Sequence, residues 1–531
     1  MSARISVIFL LACLWPIVSP AQDVWEKDVL GHWLAPSFNA FAGAASLPNG
    51  VKYLPSPVDT TQLTFAGDFY RWQWGKMIRE NARGTKTVRG NQAYFESQYG
   101  LNRMCIIMAQ AIGLTITNAA TNPRRTPKMV YFIYHTGETG AAANQYAKQK
   151  YMRRRPFDLM HETTWGKYDT YEDLMKPGNG SFPSSHTSFG WAVALSLAEM
   201  IPERQDTILR RGYMYGESRE IVGAHWHTDV DAGRLTASAA VAYLHSMSSY
   251  RDSLKVTQEE YYSLKGGEPD TDAGWPKGRK IMDGPVDSLS ALYYDDVAGY
   301  WQAKADRNTD RGLTAIDEND DSDLFFLRKF SEIIGDSLDP GLNTYMAAVL
   351  SRAREALEQS ALELRSTAFR KRPYVQFGEP SLIPQDEDYY AATSSYPSVK
   401  AQVGWGLALL MVEMFPQKGN DLLKWGYDYG YNRVVAGYNY PSDVMAGRIQ
   451  ASTVLARLHA DEEFRELIEL AKEEYNYHPK IVTVLDDVPA APTLDDGYWY
   501  TTTGIALKDR PTQPGIYIHA GRKVMVGGAC E

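Results

Sequence analysis

A chain of 531 residues exceeds what one ordinary hydrophobic core accommodates, so two domains are the starting expectation. With 44% hydrophobic and 22% charged residues, its composition is globular rather than disordered. A formal net charge of -9 argues against a nucleic-acid partner, and the short run Arg153-Arg154-Arg155 does not reverse that.

At the N-terminus Arg4 precedes an apolar stretch, Ile5 to Val18, and then Ser19-Pro20-Ala21. This is the pattern of a secretory signal cleaved before Gln22, and it predicts a periplasmic or secreted protein. No later apolar run reaches the roughly 18 residues that span a bilayer. The longest, Trp191 to Ile201 and Trp405 to Phe415, are short and carry Glu199 or Glu413. Beyond the signal only Cys105 and Cys530 remain. An oxidising compartment allows them to bridge, and the sequence leaves open whether they do.

The rest of the chain repeats itself. Pro57-Val58-Asp59 recurs as Pro285-Val286-Asp287, and Lys76, Arg79 and Arg83-Gly84 recur as Lys304, Arg307 and Arg311-Gly312, all at an offset of 228. Lys148, Arg155 and Pro156 match Arg365, Arg372 and Pro373 at 217. From Pro183 and Pro397 onward the offset is 214, which relates Arg219 to Arg433, Asp229 to Asp443 and His245 to His459. Offsets that change only between segments are the mark of a duplicated domain with loop deletions. The expected organisation is a signal at 1–21, a first domain at 22–264 and a Gly/Asp/Pro-rich linker at 265–284. A second domain follows at 285–480 and a tail at 481–531, where Gly515 to Ile518 and Lys523 to Val526 suggest a small hairpin around Ala520-Gly521. Within each repeat the reading is all-α. Thr187 to Met200 and Arg234 to Met247 are long, free of Pro and apolar on nearly every face, as helices buried in a bundle are.

Three clusters of the first repeat carry chemistry. Phosphoryl transfer asks a protein to hold three equatorial oxygens, supply an in-line nucleophile and protonate the leaving oxygen. Lys148, Arg155 and Arg219 offer three fixed positive charges. Ser184 follows Pro183 at the expected start of a helix, where the backbone N–H groups of Ser185 and His186 and the Ser184 hydroxyl can meet an anion. His225 and Asp229 are four apart and would share a face of a helical turn, so that the carboxylate orients the ring and leaves one nitrogen free to attack. His186 is then the general acid. The expected route is a phosphohistidine on His225 hydrolysed by water, with no metal or other cofactor required. His225, His227 and Asp229 also spell His-x-His-x-Asp, but Val230 stands where a binuclear metal motif continues with His, and the context is helical.

Lys148-x6-Arg155-Pro156, Pro183-Ser184-x-His186 and Ser218-Arg219-x5-His225-x3-Asp229 together resemble the type 2 phosphatidic acid phosphatase superfamily, which includes vanadium haloperoxidases. The segment Gly180 to Trp191, with His225-Trp226 and Asp229-Val230-Asp231-Ala232, is most similar to the bacterial class A non-specific acid phosphatases. The resemblance implies a secreted all-helical enzyme that hydrolyses small phosphomonoesters. It covers Pro57 to Met247 and, in degraded form, the second repeat. Family members usually have Gly where Ser185 stands.

In the second repeat Lys400 and Asn439 replace His186 and His225, while Arg365, Arg372, Ser398, Arg433 and Asp443 persist. Asn439 cannot form a phosphoenzyme, so no turnover is expected there. That half is either a structural partner, making an intrachain pseudo-dimer, or an anion-binding site. Two rival functions use the first pocket: a haloperoxidase with vanadate as cofactor, rather than vanadate as inhibitor, and a non-catalytic phosphate-binding protein.

Overall fold

The computed structural model describes residues 40–477, apart from 118, 120–121 and 167–173, together with 498–501, 506–512, 515–519 and 522–526. The signal and its cleavage point, Cys530 and the Ala520-Gly521 turn lie outside the described residues. The chain divides into two compact units, Met1–Tyr477 and His478–Glu531. The second, taken by itself, holds the short strands β1 (Trp499–Thr501), β2 (Ala506–Leu507), β3 (Gly515–His519) and β4 (Arg522–Val526), antiparallel in the order β2-β1-β3-β4. The all-α fold class rests on the first unit.

The longer helices of the first repeat are α1 (Phe65–Arg79), α2 (Val88–Glu96), α3 (Leu101–Ile112), α4 (Pro127–Ala142), α5 (Gln145–Tyr151), α6 (Ser185–Met200), α7 (Gln205–Ile221), α8 (His227–His245) and α9 (Ser248–Lys265). Those of the second are α10 (Leu292–Ala305), α11 (Asp310–Asp317), α12 (Asp323–Ile334), α13 (Thr344–Arg365), α14 (Val399–Met414), α15 (Gly419–Val435), α16 (Pro441–His459) and α17 (Glu462–Tyr477). No described helix is long and apolar enough to cross a membrane.

Each bundle is built around its most apolar helix. The Ser184 side chain accepts from the Thr187 N–H and starts α6; Ser398 accepts from Ala401 and starts α14. Both helices run 16 residues and stop where Pro202 or Pro416 begins a 3-10 turn. Both N-termini follow a cis X-Pro bond, Phe182-Pro183 and Tyr396-Pro397. Helix α6 packs against α4, α7 and α8; α14 packs against α13, α15 and α16. These contacts are tight enough that Gly190 leaves room for the Tyr215 ring, and Gly404 does the same for Tyr429. A Cβ at either position would collide with the ring.

One boundary differs from expectation. Helix α8 begins at His227, about two turns before Arg234. Its first turns carry His227, Asp229 and Asp231, so the apolar pattern does not register them. The Asp229 carboxylate caps this end by accepting the Trp226 N–H at 2.9 Å.

The two repeats meet in a self-complementary way, as subunits of a two-fold dimer do. Helix α6 packs on α16 and α14 on α8, while α1 packs on α10. At the centre the rings of His245 and His459 lie 4.1 Å apart, each bonded to a glutamate of its own repeat, Glu199 at 2.9 Å and Glu413 at 2.7 Å. The segments preceding each bundle cross over. Asn49 N–H donates to Asn420 at 2.7 Å, and Gly50–Tyr53 lies on α15. In the equivalent place Lys277 N–H donates to Asp206 at 2.9 Å, and Gly278–Ile281 lies on α7. The stretch expected to be a linker thus packs at its C-terminal end.

Candidate active site

The first repeat brings its cluster residues together at the N-termini of α6 and α8 and the C-terminal ends of α5 and α7. Lys148 is on the last turn of α5, and its ammonium donates to the Gly180 carbonyl at 2.5 Å. Arg155 caps the short helix Pro156–Leu159 and is buried, donating to the carbonyls of Leu174 (3.1 Å) and Ala224 (3.0 Å) and to Asn179 (3.2 Å). Arg219 ends α7, buried, with Nη1 3.4 Å from the Ser97 carbonyl. Ser184 is fully buried, its N–H donating to the Asp229 carbonyl at 2.9 Å and its Oγ accepting from the Thr187 hydroxyl at 2.9 Å. Its own hydroxyl proton can therefore still donate. Ser185 is half-buried at the first position of α6, within 3.4 Å of the Asn144 amide.

His225 lies just before α8 rather than on it, so it does not share a helical face with Asp229. The cap does that work instead, since Asp229 turns back toward the residues preceding the helix. His225 Nε2 is 2.8 Å from Arg155 Nη1. A guanidinium only donates, so Nε2 accepts and the ring proton sits on Nδ1. Nδ1 is 3.4 Å from Ser181 Oγ and 3.6 Å from Asp229 Oδ2, and Ser181 donates to that same carboxylate oxygen. The carboxylate thus reaches the ring largely through Ser181.

His186 projects from the first turn of α6. Its Nε2 donates to the Glu96 carbonyl at 2.8 Å, and its ring stacks on Tyr215 with centroids 4.4 Å apart. The nitrogen available for proton exchange with a ligand is therefore Nδ1.

Electrostatics bind the cluster into one site. Burial, and then Arg155, hold His225 well below the usual histidine range. Burial, followed by Arg219, does the same to His186, which also feels His225 and Arg155. Burial and Arg155 push Lys148 well down. Burial alone would raise Asp229, yet Arg153, His225 and Ser181 hold it below the usual carboxylate range. The pocket thus gathers Lys148, Arg155 and Arg219 around two histidines held neutral by burial, an arrangement that favours an anion.

Four participants escape a reading of motifs. Arg153 clamps Asp229 at 2.6 Å and Asp68 at 2.7 Å, and Thr228 N–H donates to Asp68 at 2.8 Å. Ser181 and the Glu96 carbonyl orient the two histidines. Arg153 and Asp68 do carry a signal in the repeat, because Arg370 and Asp296 stand at offsets of 217 and 228. They reproduce the clamp on Asp443 and Asp296 at 2.6 Å each. His227 is held by Glu220 (3.1 Å) and Asp231 (3.5 Å), and the recurring Lys76 pairs with Glu162 at 2.6 Å.

The chain is similar to known proteins in both repeats. The PAP2 superfamily matches residues 129–253 and again 345–465. The non-specific acid phosphatase of Providencia stuartii is 38% identical over 258 residues, which is 48% of this chain and 95% of the relative. The non-specific acid phosphatase of Salmonella typhimurium is 33% identical over 213 residues, 40% of this chain and 80% of the relative. The acid phosphatase of Zymomonas mobilis is 42% identical over 114 residues, 22% of this chain and 42% of the relative. Matched motifs at both repeats, carried on one bundle plan, lead to one assignment: the chain belongs to the PAP2 superfamily and holds its domain twice.

Proposed function

We propose that the first repeat is an acid phosphatase that hydrolyses small phosphomonoesters through a phosphohistidine on His225. The observation that carries this reading is the tautomer. Nδ1 is protonated toward Ser181 and Asp229, which leaves the Nε2 lone pair facing the cations. A bound phosphoryl group competes for the Arg155 guanidinium and draws it off Nε2. Lys148, Arg155, Arg219, Ser184 and the N–H groups of Ser185 and His186 then hold the equatorial oxygens. Nε2 forms a bond to phosphorus as the ester P–O bond breaks, and His186 Nδ1–H protonates the departing alkoxide. In the second half, water attacks phosphorus, the N–P bond breaks, and His186 takes the water's proton. The charge stabilisation comes from side chains, so we propose that turnover persists in EDTA. Vanadate, a tetrahedral oxyanion, is expected to compete with substrate. The leader at 1–21 is the ground for proposing export.

Rapid quenching with labelled substrate tests this directly. The label should map to His225 alone, and His225→Ala should abolish both label and turnover. Label on another residue, or turnover that survives His225→Ala, would sink the mechanism.

A further inference from the structure

The second repeat keeps a pocket where the nucleophile is gone. Its residues occupy the same backbone positions as those of the first. Arg365 Nε donates to the Pro397 carbonyl at 3.2 Å, three residues along from the counterpart of Gly180, which Lys148 meets in the first repeat. Arg372 Nη1 donates to the Tyr438 carbonyl at 2.9 Å, as Arg155 does to Ala224. Arg433 Nη1 donates to Asn319 Oδ1 at 2.9 Å, and Ser398 N–H to the Asp443 carbonyl at 3.0 Å. Lys400 reaches the Asn319 carbonyl, where His186 meets that of Glu96. Arg372, Lys400 and Arg433 are buried, and Arg365 is half-buried.

Two exchanges change what such a pocket can do. Asn439 is tied at both ends of its amide, donating to the Ser395 carbonyl at 2.6 Å and accepting from Ser398 Oγ at 3.2 Å, and it has no nucleophilic nitrogen. Lys400 puts an ammonium where the first repeat has a neutral ring. Asp443 is already answered by Arg370, and the carboxylate on Lys400 is Asp321, 3.1 Å away with a side chain 56% exposed. Four cations thus converge at a helix N-terminus; Asp321, Asp386 and Asp320 act on Lys400, and Asp443, already held by Arg370, acts on Arg365 and Arg372. Burial and their mutual repulsion press three of them down, Arg365 to about 10, Arg372 to about 9 and Lys400 to about 8. Buried like charges are costly unless a counter-charge joins them.

We propose that the second repeat is a non-catalytic binding site for a phosphate dianion or the phosphoryl end of an ester. It would hold substrate or product on the same chain as a working copy of the pocket. The inference leans on the reading of the first pocket as a phosphate site, and the test separates the two.

Equilibrium dialysis of the full chain against labelled inorganic phosphate counts the sites. Two phosphates should bind per wild-type chain. Arg155→Ala should remove one, and Arg433→Gln or Lys400→Met should weaken the other at least tenfold, with helical circular dichroism retained. A single phosphate per wild-type chain that Arg155→Ala removes overturns the proposal, whether or not the second-pocket variants fold. Two phosphates indifferent to Arg433→Gln and Lys400→Met overturn it as well. Phenylphosphonate, a non-hydrolysable mimic, distinguishes the sources. Competition at the second site assigns it to phosphoryl groups in general, and no competition assigns it to inorganic phosphate. If Arg155→Ala keeps both phosphates and no phosphoenzyme forms, it is the first-pocket reading that fails.

Discussion

His186 must carry a proton when the ester bond breaks, yet burial and Arg219 keep it neutral in the free protein at ordinary pH. The proton can enter on the ring or on a monoanionic ester, whose second ionisation lies at about 6. Both routes need the same total protonation, so kcat/KM should fall tenfold per pH unit above that value. A flat profile through neutral pH would contradict His186 as the acid. Arg153 offers a second test at this scale, because its counterpart Arg370 makes the same ion pairs in the other repeat. Removing one partner of a buried pair costs about 3–5 kcal/mol. Arg153→Ala and Arg370→Ala should therefore lose similar stability in denaturant titrations, while only Arg153→Ala loses kcat. The cluster residues themselves were legible from spacing. The roles of Arg153 and Ser181, and the Glu96 carbonyl, were not, because the repeat and the motif show that a residue recurs and not which partner it meets.

At the level of helices, both repeats depend on close approach of the central helix to its neighbour. Gly190 faces Tyr215 and Gly404 faces Tyr429. Substituting Ala at either should cost about 1–3 kcal/mol through overpacking. The consequences for activity differ, since Tyr215 is also the ring on which His186 stacks. Gly190→Ala is expected to lower kcat at constant fold, and Gly404→Ala to lower Tm with kcat maintained. Equal kcat in both would mean that the stack does not position the acid. Helices α6 and α14 were readable because they are apolar all round. The start of α8 was not, because its first turns are charged and its cap is a side chain that the pattern counts as polar surface.

Across the whole molecule, the repeats line an open cleft of about 550 Å³ bordered by His227, Arg71, Asp231, Asp283, Asp295 and Tyr396, among others. Burial opposes a charge on His227, but Glu220 and Asp231 overcome it and raise the ring to about 9; Arg71 opposes them. Its folded value lies above the unfolded one, so its stabilisation is full below about 6.5 and is lost as pH rises through about 9. His227→Gln should therefore lower Tm markedly at pH 6 and much less at pH 10. A Tm difference that is constant with pH would contradict the pairing. Sequence by itself determined the duplication, the all-helical class and the identity of the clustered residues, because these are written in spacing and periodicity along one chain. Tertiary structure alone decided the rest. It showed that the leading arms cross between repeats, that His225 is oriented from outside a helix, and that four cations of the second half still converge. Those facts arise from side chains distant in sequence meeting in a low-dielectric interior, where burial and neighbouring charge set what each group can do.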